Sequence, residues 1–143
     1  AGNIRSASLV IEFARKYGKL NQVLLSSDTP TGTGVMPLGT LKSIVEMATM
    51  TGLEAGEAWA LATGHNASVL RQNTGQIALG READLIVMDT PTGSAYPDAR
   101  AAICGGDLPG ISAVIIDGEI KTLRSRNTPL ATCLCEVRKI NGV

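Results

Sequence analysis

One carboxylate stands where chemistry could be done. Ser27-Asp28-Thr29-Pro30 closes the short apolar run Val23-Leu24-Leu25 and opens a glycine-rich stretch, Gly32-Thr33-Gly34. A carboxylate at the end of a buried strand, beside a loop, is a common position for a catalytic group in α/β enzymes. Such a group can take a proton from a water molecule and pass it on. Asp28 also fits a second role, since Asp ahead of Thr-Pro commonly starts a turn. Ser27 and Thr29 could orient the carboxylate or serve as surface hydroxyls. Residues 31–36 could line a pocket with free backbone N–H groups, or simply connect strand to helix. Other reactive side chains are sparse: one histidine, His65, at a helix junction where a structural role is expected, and three cysteines, Cys104, Cys133 and Cys135. Two thiols one residue apart are a weak metal signal, and three cysteines do not make a disulfide framework.

The elements that must position Asp28 follow from periodicity. Residues 8–17 read as an amphipathic helix with Leu9, Val10, Phe13, Ala14 and Tyr17 on one face, stopped by Gly18. Residues 22–27 read as a strand covered on both faces, because their apolar positions are consecutive. Leu41, Ile44, Val45 and Ala48 mark a second helix ending near Gly52. Residues 53–63 form a third, with Ala55, Ala58, Trp59 and Ala62 inward, and Trp59 in the core. Residues 66–71 form a short fourth. Helix, strand, long loop and helices are a piece of an α/β layered fold.

After Asn73 the pattern changes. Two short strands are expected, one around Ile77 and one over residues 83–88, with Asp84 as a turn or cap residue. Residues 112–116 and 119–123 flank Asp117-Gly118, a type I′ hairpin signal, because both turn residues need positive φ. Residues 90–110 read as irregular with a short helix near 98–103. The tail from about residue 128 shows no element.

Composition narrows the function classes. The chain has 143 residues, 13 basic and 13 acidic, with a formal net charge of zero. It carries no electrostatic footprint for nucleic acid, and its few aromatics offer no stacking platform. No apolar run approaches the ~20 residues needed to span a bilayer, and no secretory leader pattern is present. The expectation is a cytoplasmic protein with reduced thiols and no nucleic-acid or membrane partner.

The motifs together carry a resemblance. Ser27-Asp28, Ala62-Thr63-Gly64, Gly75-x-Ile77-x-x-Gly80-x-x-Ala83-Asp84-Leu85-Ile86-Val87 and Val114-Ile115-Ile116-Asp117-Gly118-Glu119 occur in that order. This succession resembles the carboxy-terminal third of the amidohydrolase superfamily, metal-dependent hydrolases. Asp89-Thr90-Pro91-x-Gly93-Ser94, Gly106-Asp107-x-Pro109-Gly110-Ile111 and Ser125-Arg126-Asn127-Thr128-Pro129 are similar to a branch of it that opens cyclic amides.

The resemblance implies an α/β fold: the carboxy-terminal portion of a (β/α)8 barrel, residues 1–74, followed by strands of the companion β-sandwich with a tail, residues 75–143. It implies hydrolysis of a C–N bond in a small cyclic amide. Asp28 would be proton shuttle and possible metal ligand, and Thr29, Gly32, Thr33 and Gly34 would bind substrate. The parent enzyme would hold a divalent metal, zinc and/or iron. The isolated chain would hold none and would be inactive, because the family's His-x-His pair, carboxylated lysine or acidic bridge, and further histidines are missing. A barrel segment taken alone would expose strand edges and the apolar positions Leu41, Ile44 and Val45, so a homo-oligomer is expected. A non-catalytic module packing against another chain is the alternative.

Overall fold

The computed structural model describes residues 4–29 and 36–138. Helix α1 spans Ile4–Lys16, α2 Gly39–Thr51, α3 Ala55–Ala62 and α4 Gly64–Leu70. Strand β1 spans Leu85–Asp89, α5 Ala99–Gly105, β2 Gly110–Ile116 and β3 Glu119–Thr122. A 3-10 turn covers Leu20–Gln22.

The core joins the two halves of the chain. Ile11 of α1, Ile44, Val45, Met47 and Ala48 of α2, Leu53 between α2 and α3, Ala55, Ala58 and Leu61 of α3, and Ile103 of α5 form one buried cluster. Local chemistry sets the helix limits. Gly52 closes α2 in the left-handed conformation, which glycine adopts without a Cβ penalty. Arg15 of α1 donates through Nη1 to the Thr51 carbonyl at 3.2 Å and through Nη2 to Gly52 at 3.1 Å. A cation there meets carbonyls that have no partner within the helix. Glu54 and Glu57 form a capping box on α3, and the Asp98 carboxylate caps α5 by accepting from the Ala101 N–H at 2.9 Å.

The sheet is antiparallel, in the order β1-β2-β3. Asp117 and Gly118 turn between β2 and β3 with φ of 54° and 75°, the positive pair expected for a type I′ hairpin. Asp84 ties this turn to the start of β1. Its carboxylate accepts from the Asp117 N–H at 2.9 Å and from Thr74 Oγ1 at 3.0 Å, the turn role expected of it. The tail, expected to have no element, pairs at one point: Pro91 bridges Ala131, Thr132 N–H donates to Thr90 and Thr92 N–H to Leu130.

Five expectations need correction. Residues 22–27 do not form a strand. The chain makes the 3-10 turn and then runs on without a ladder partner among the described residues, extended at Val23. An apolar run specifies burial, but a strand exists only where a neighbour pairs with it. Residues 75–80 form a bend and a turn rather than a strand, with Gly75 and Gly80 at positive φ. The apolar face of α1 is largely open: Phe13 is 64% exposed and Leu9 58%, while Ile11 and Ala14 are buried. Conversely, Leu41, Ile44 and Val45 are buried within this chain. Trp59 is half-buried at the edge of the core.

Candidate active site

Asp28 lies on the surface with its backbone at φ 54°. Left-handed backbone is uncommon outside glycine, and Asp and Asn tolerate it best. The conformation turns the chain sharply at the carboxylate. The Asp28 N–H donates to Ser26 Oγ at 3.4 Å. The hydroxyl that meets the Asp28 backbone is therefore that of Ser26, a residue the sequence did not single out. Ser27 has a different task. It packs against the first residue of α2 so closely that a Cβ added to Gly39 would stand 2.8 Å from Ser27 Cβ.

The segment leading to Asp28 is held from below by α3 and α4. Leu25 N–H donates to the Leu61 carbonyl at 2.9 Å. The Leu25 carbonyl accepts from Asn66 Nδ2 at 3.0 Å, and the same nitrogen reaches Ala62 O at 3.1 Å. His65 Nδ1 lies 3.3 Å from the Val23 carbonyl, a bond made when Nδ1 carries the proton. His65 thus has the structural place expected of it, at a helix junction. Asn66 carried no signal in the sequence beyond its membership of α4, since its partner is 41 positions away.

Thr29 is exposed beside Asp28. Gly32, Thr33 and Gly34 lie outside the described residues, as does most of the loop expected to line a pocket. Among the described residues, no group of three or more His, Cys, Asp or Glu side chains is placed to hold a metal ion. A catalytic zinc site takes three protein ligands plus water. The described residues therefore do not by themselves fit a complete metal centre.

Asp89 and Cys133 act on each other at the end of β1. Hydrogen bonding from the Thr90 backbone, then from Cys133, holds the Asp89 carboxyl below its ordinary range. The Asp89 carboxylate in turn raises the Cys133 thiol, and accepts from the Cys133 N–H at 2.9 Å. This pair fastens the tail to the end of β1.

The clamped segment thus ends in an exposed carboxylate. The amidohydrolase family model matches residues 8–121. The chain belongs to the amidohydrolase family. It is 48% identical over 130 residues to an enamidase from Eubacterium barkeri, covering 91% of this chain and 34% of that protein. A crystal structure of enamidase, described as a new member of the amidohydrolase superfamily, superposes with a TM-score of 0.90 at 46% identity over 92% of this chain and 34% of its own. The chain spans about a third of the length of the relatives it matches.

The fold is α/β and matches a portion of an amidohydrolase barrel protein. Superfamily members generally use divalent metals. No helix among the described residues is long and apolar enough to cross a membrane.

Proposed function

We propose that this chain is the carboxy-terminal part of a metal-dependent amidohydrolase that hydrolyses a C–N bond of a small cyclic amide, with Asp28 as the proton shuttle. The observation that carries this reading is the 48% identity to enamidase over nearly the whole chain. In support, Asp28 is exposed and sharply turned at the end of a segment pinned to α3 and α4.

The chemistry asked of Asp28 is a proton transfer. Water attacks the amide carbonyl carbon, and one of its protons passes to a carboxylate oxygen of Asp28. The C–N bond breaks, and the proton goes from Asp28 to the departing nitrogen. A positioned acid or base of this kind typically contributes ~10²–10⁴-fold. Zinc and/or iron would act in the complete enzyme, with Asp28 as one ligand and the others outside the described residues. Thr29, Gly32, Thr33 and Gly34 would contact the substrate.

We further read residues 1–74 as the barrel portion and 75–143 as the sandwich strands and tail. The sheet lies wholly in the second segment and α1–α4 in the first, although Ile103 of α5 joins the helical core. Free thiols at Cys104, Cys133 and Cys135 suit a cytoplasmic enzyme. The balanced charge argues against a nucleic-acid partner, and the exposed face of α1 supports a homo-oligomer.

The test is steady-state hydrolysis of cyclic amides by the complete enzyme, with and without Asp28→Asn. Asn shares the tolerance of Asp for left-handed backbone, so the variant removes the base without removing the turn. Turnover should fall at least a hundredfold with the fold retained. A variant that keeps more than about a tenth of the parental rate would exclude the shuttle role. No cyclic-amide hydrolysis by the complete protein would favour a non-catalytic module.

A further inference from the structure

We propose that Asn66 is a positioning residue for Asp28, with His65 in support: the start of α4 holds the segment that leads to the carboxylate and so fixes where the carboxylate stands. This inference rests on the shuttle reading of Asp28. Its observations are independent of that reading.

The segment between the 3-10 turn and Asp28 has no strand partner among the described residues. Three of its backbone polar groups meet α3 and α4. The Val23 carbonyl faces His65 Nδ1, the Leu25 N–H meets the Leu61 carbonyl, and the Leu25 carbonyl meets Asn66 Nδ2. Both polar groups of Leu25 are thus fixed to the α3–α4 corner. Asn66 itself is anchored, since its Nδ2 also reaches Ala62 O one turn back. An amide with two donors on one nitrogen suits this two-carbonyl bridge. Three residues later, Ser27 and Gly39 already being in close contact, the chain has little freedom before the left-handed turn at Asp28.

Loss of the Asn66 bridge frees the Leu25 carbonyl and lets the segment drift. A displacement of about 1 Å at a reacting group costs on the order of 10²-fold in rate. Asn66 is not among the residues read as contacting substrate, so the loss belongs in kcat more than in KM.

The experiment is a double-mutant cycle in the complete enzyme, assayed on a cyclic amide with melting temperatures recorded in parallel. Asn66→Ala should lower kcat by ~10–100-fold with KM changed less than about threefold. Leu53→Ala, a core truncation distant in role, serves as the stability control: it should lower the melting temperature at least as far while kcat at saturation holds. On the Asp28→Asn background, Asn66→Ala should have almost no further effect, because there is no base left to misplace. If Asn66→Ala slows wild type and Asp28→Asn enzyme equally, Asn66 does not act through Asp28 and the proposal is overturned. If it leaves kcat intact, the proposal is also overturned. Full activity in Asp28→Asn alone would overturn the shuttle reading instead, a distinct result. Should Asn66→Ala yield no folded protein, His65 decides. His65→Asn keeps a nitrogen donor near the position of Nδ1, and His65→Ala does not. A lower kcat in His65→Ala restored in His65→Asn supports positioning, and equal rates in both overturn it.

Discussion

Gly39 offers a sharp test of how this fold serves its carboxylate. It is the first residue of α2, and a Cβ there would stand 2.8 Å from Ser27 Cβ. Ordinary carbon–carbon contact is ~3.5–4.0 Å, so Gly39→Ala requires about 0.7 Å of movement. The obstructing atom is joined directly to the Ser27 backbone and cannot swing aside as a long side chain would. Overpacking of this kind costs about 1–3 kcal/mol. The gain from replacing glycine within a helix offsets at most ~1 kcal/mol, and less at a first helical residue. The net expectation is about 1–2 kcal/mol lost, a fall in melting temperature of roughly 3–8 °C for a chain of this size.

The functional consequence is separate. Ser27 adjoins Asp28, so its displacement carries the carboxylate with it, and the complete enzyme should lose on the order of 10–100-fold in kcat. Gly56→Ala is the matched control. Gly56 lies in α3 and an added Cβ meets nothing within 4 Å. That substitution should raise stability by about 0.5–1 kcal/mol and leave turnover unchanged. Calorimetry and steady-state kinetics on the two variants are sufficient. If Gly39→Ala behaves like Gly56→Ala in both assays, the Ser27–Gly39 contact does not constrain the site.

Other expectations concern the core, the tail and the pH response. Leu61→Ala removes a fully buried side chain and should cost about 2–5 kcal/mol in denaturant unfolding; a loss below 1 kcal/mol would contradict its place in the core. Gly110→Ala would drive a Cβ to 2.4 Å from Ala131 backbone atoms. It should detach the tail, seen as faster amide exchange or proteolysis after residue 128, and unchanged protection would refute the contact. Because the folded Asp89 carboxyl lies below its ordinary value of 3.8, its contribution to stability is present above that value. It is lost as pH falls through the lower folded value. Asp89→Asn should therefore flatten the acid limb of the stability curve, and an unaltered limb would exclude the linkage. The same substitution should speed alkylation of the exposed Cys133, whose thiol pKa Asp89 raises; equal rates would contradict that coupling.

What the sequence determined by itself was local or motif-borne. Asp117-Gly118 dictates a hairpin because only certain residues accept two successive positive φ values. Gly52 ends α2, and the positions Leu41, Ile44, Val45 and Ala48 give its buried face, because these features depend on neighbours within a few residues. The order of Asp28, the glycine-and-Ala83-Asp84-Leu85 block and the Asp117-Gly118 turn carried the family. What the tertiary structure alone decided depended on distant partners. The apolar run at residues 23–25 looks the same whether or not a neighbouring strand exists, so periodicity could not show that α3 and α4 would meet the Leu25 backbone groups. Nor could it show that Leu9 and Phe13 would stay open while Ile11 closed on the core. Asn66 and Leu25 are separated by 41 residues, and the value of their bond exists only once α3 and α4 have packed. A side chain's partner at that range is fixed by the whole fold, and no local spacing encodes it.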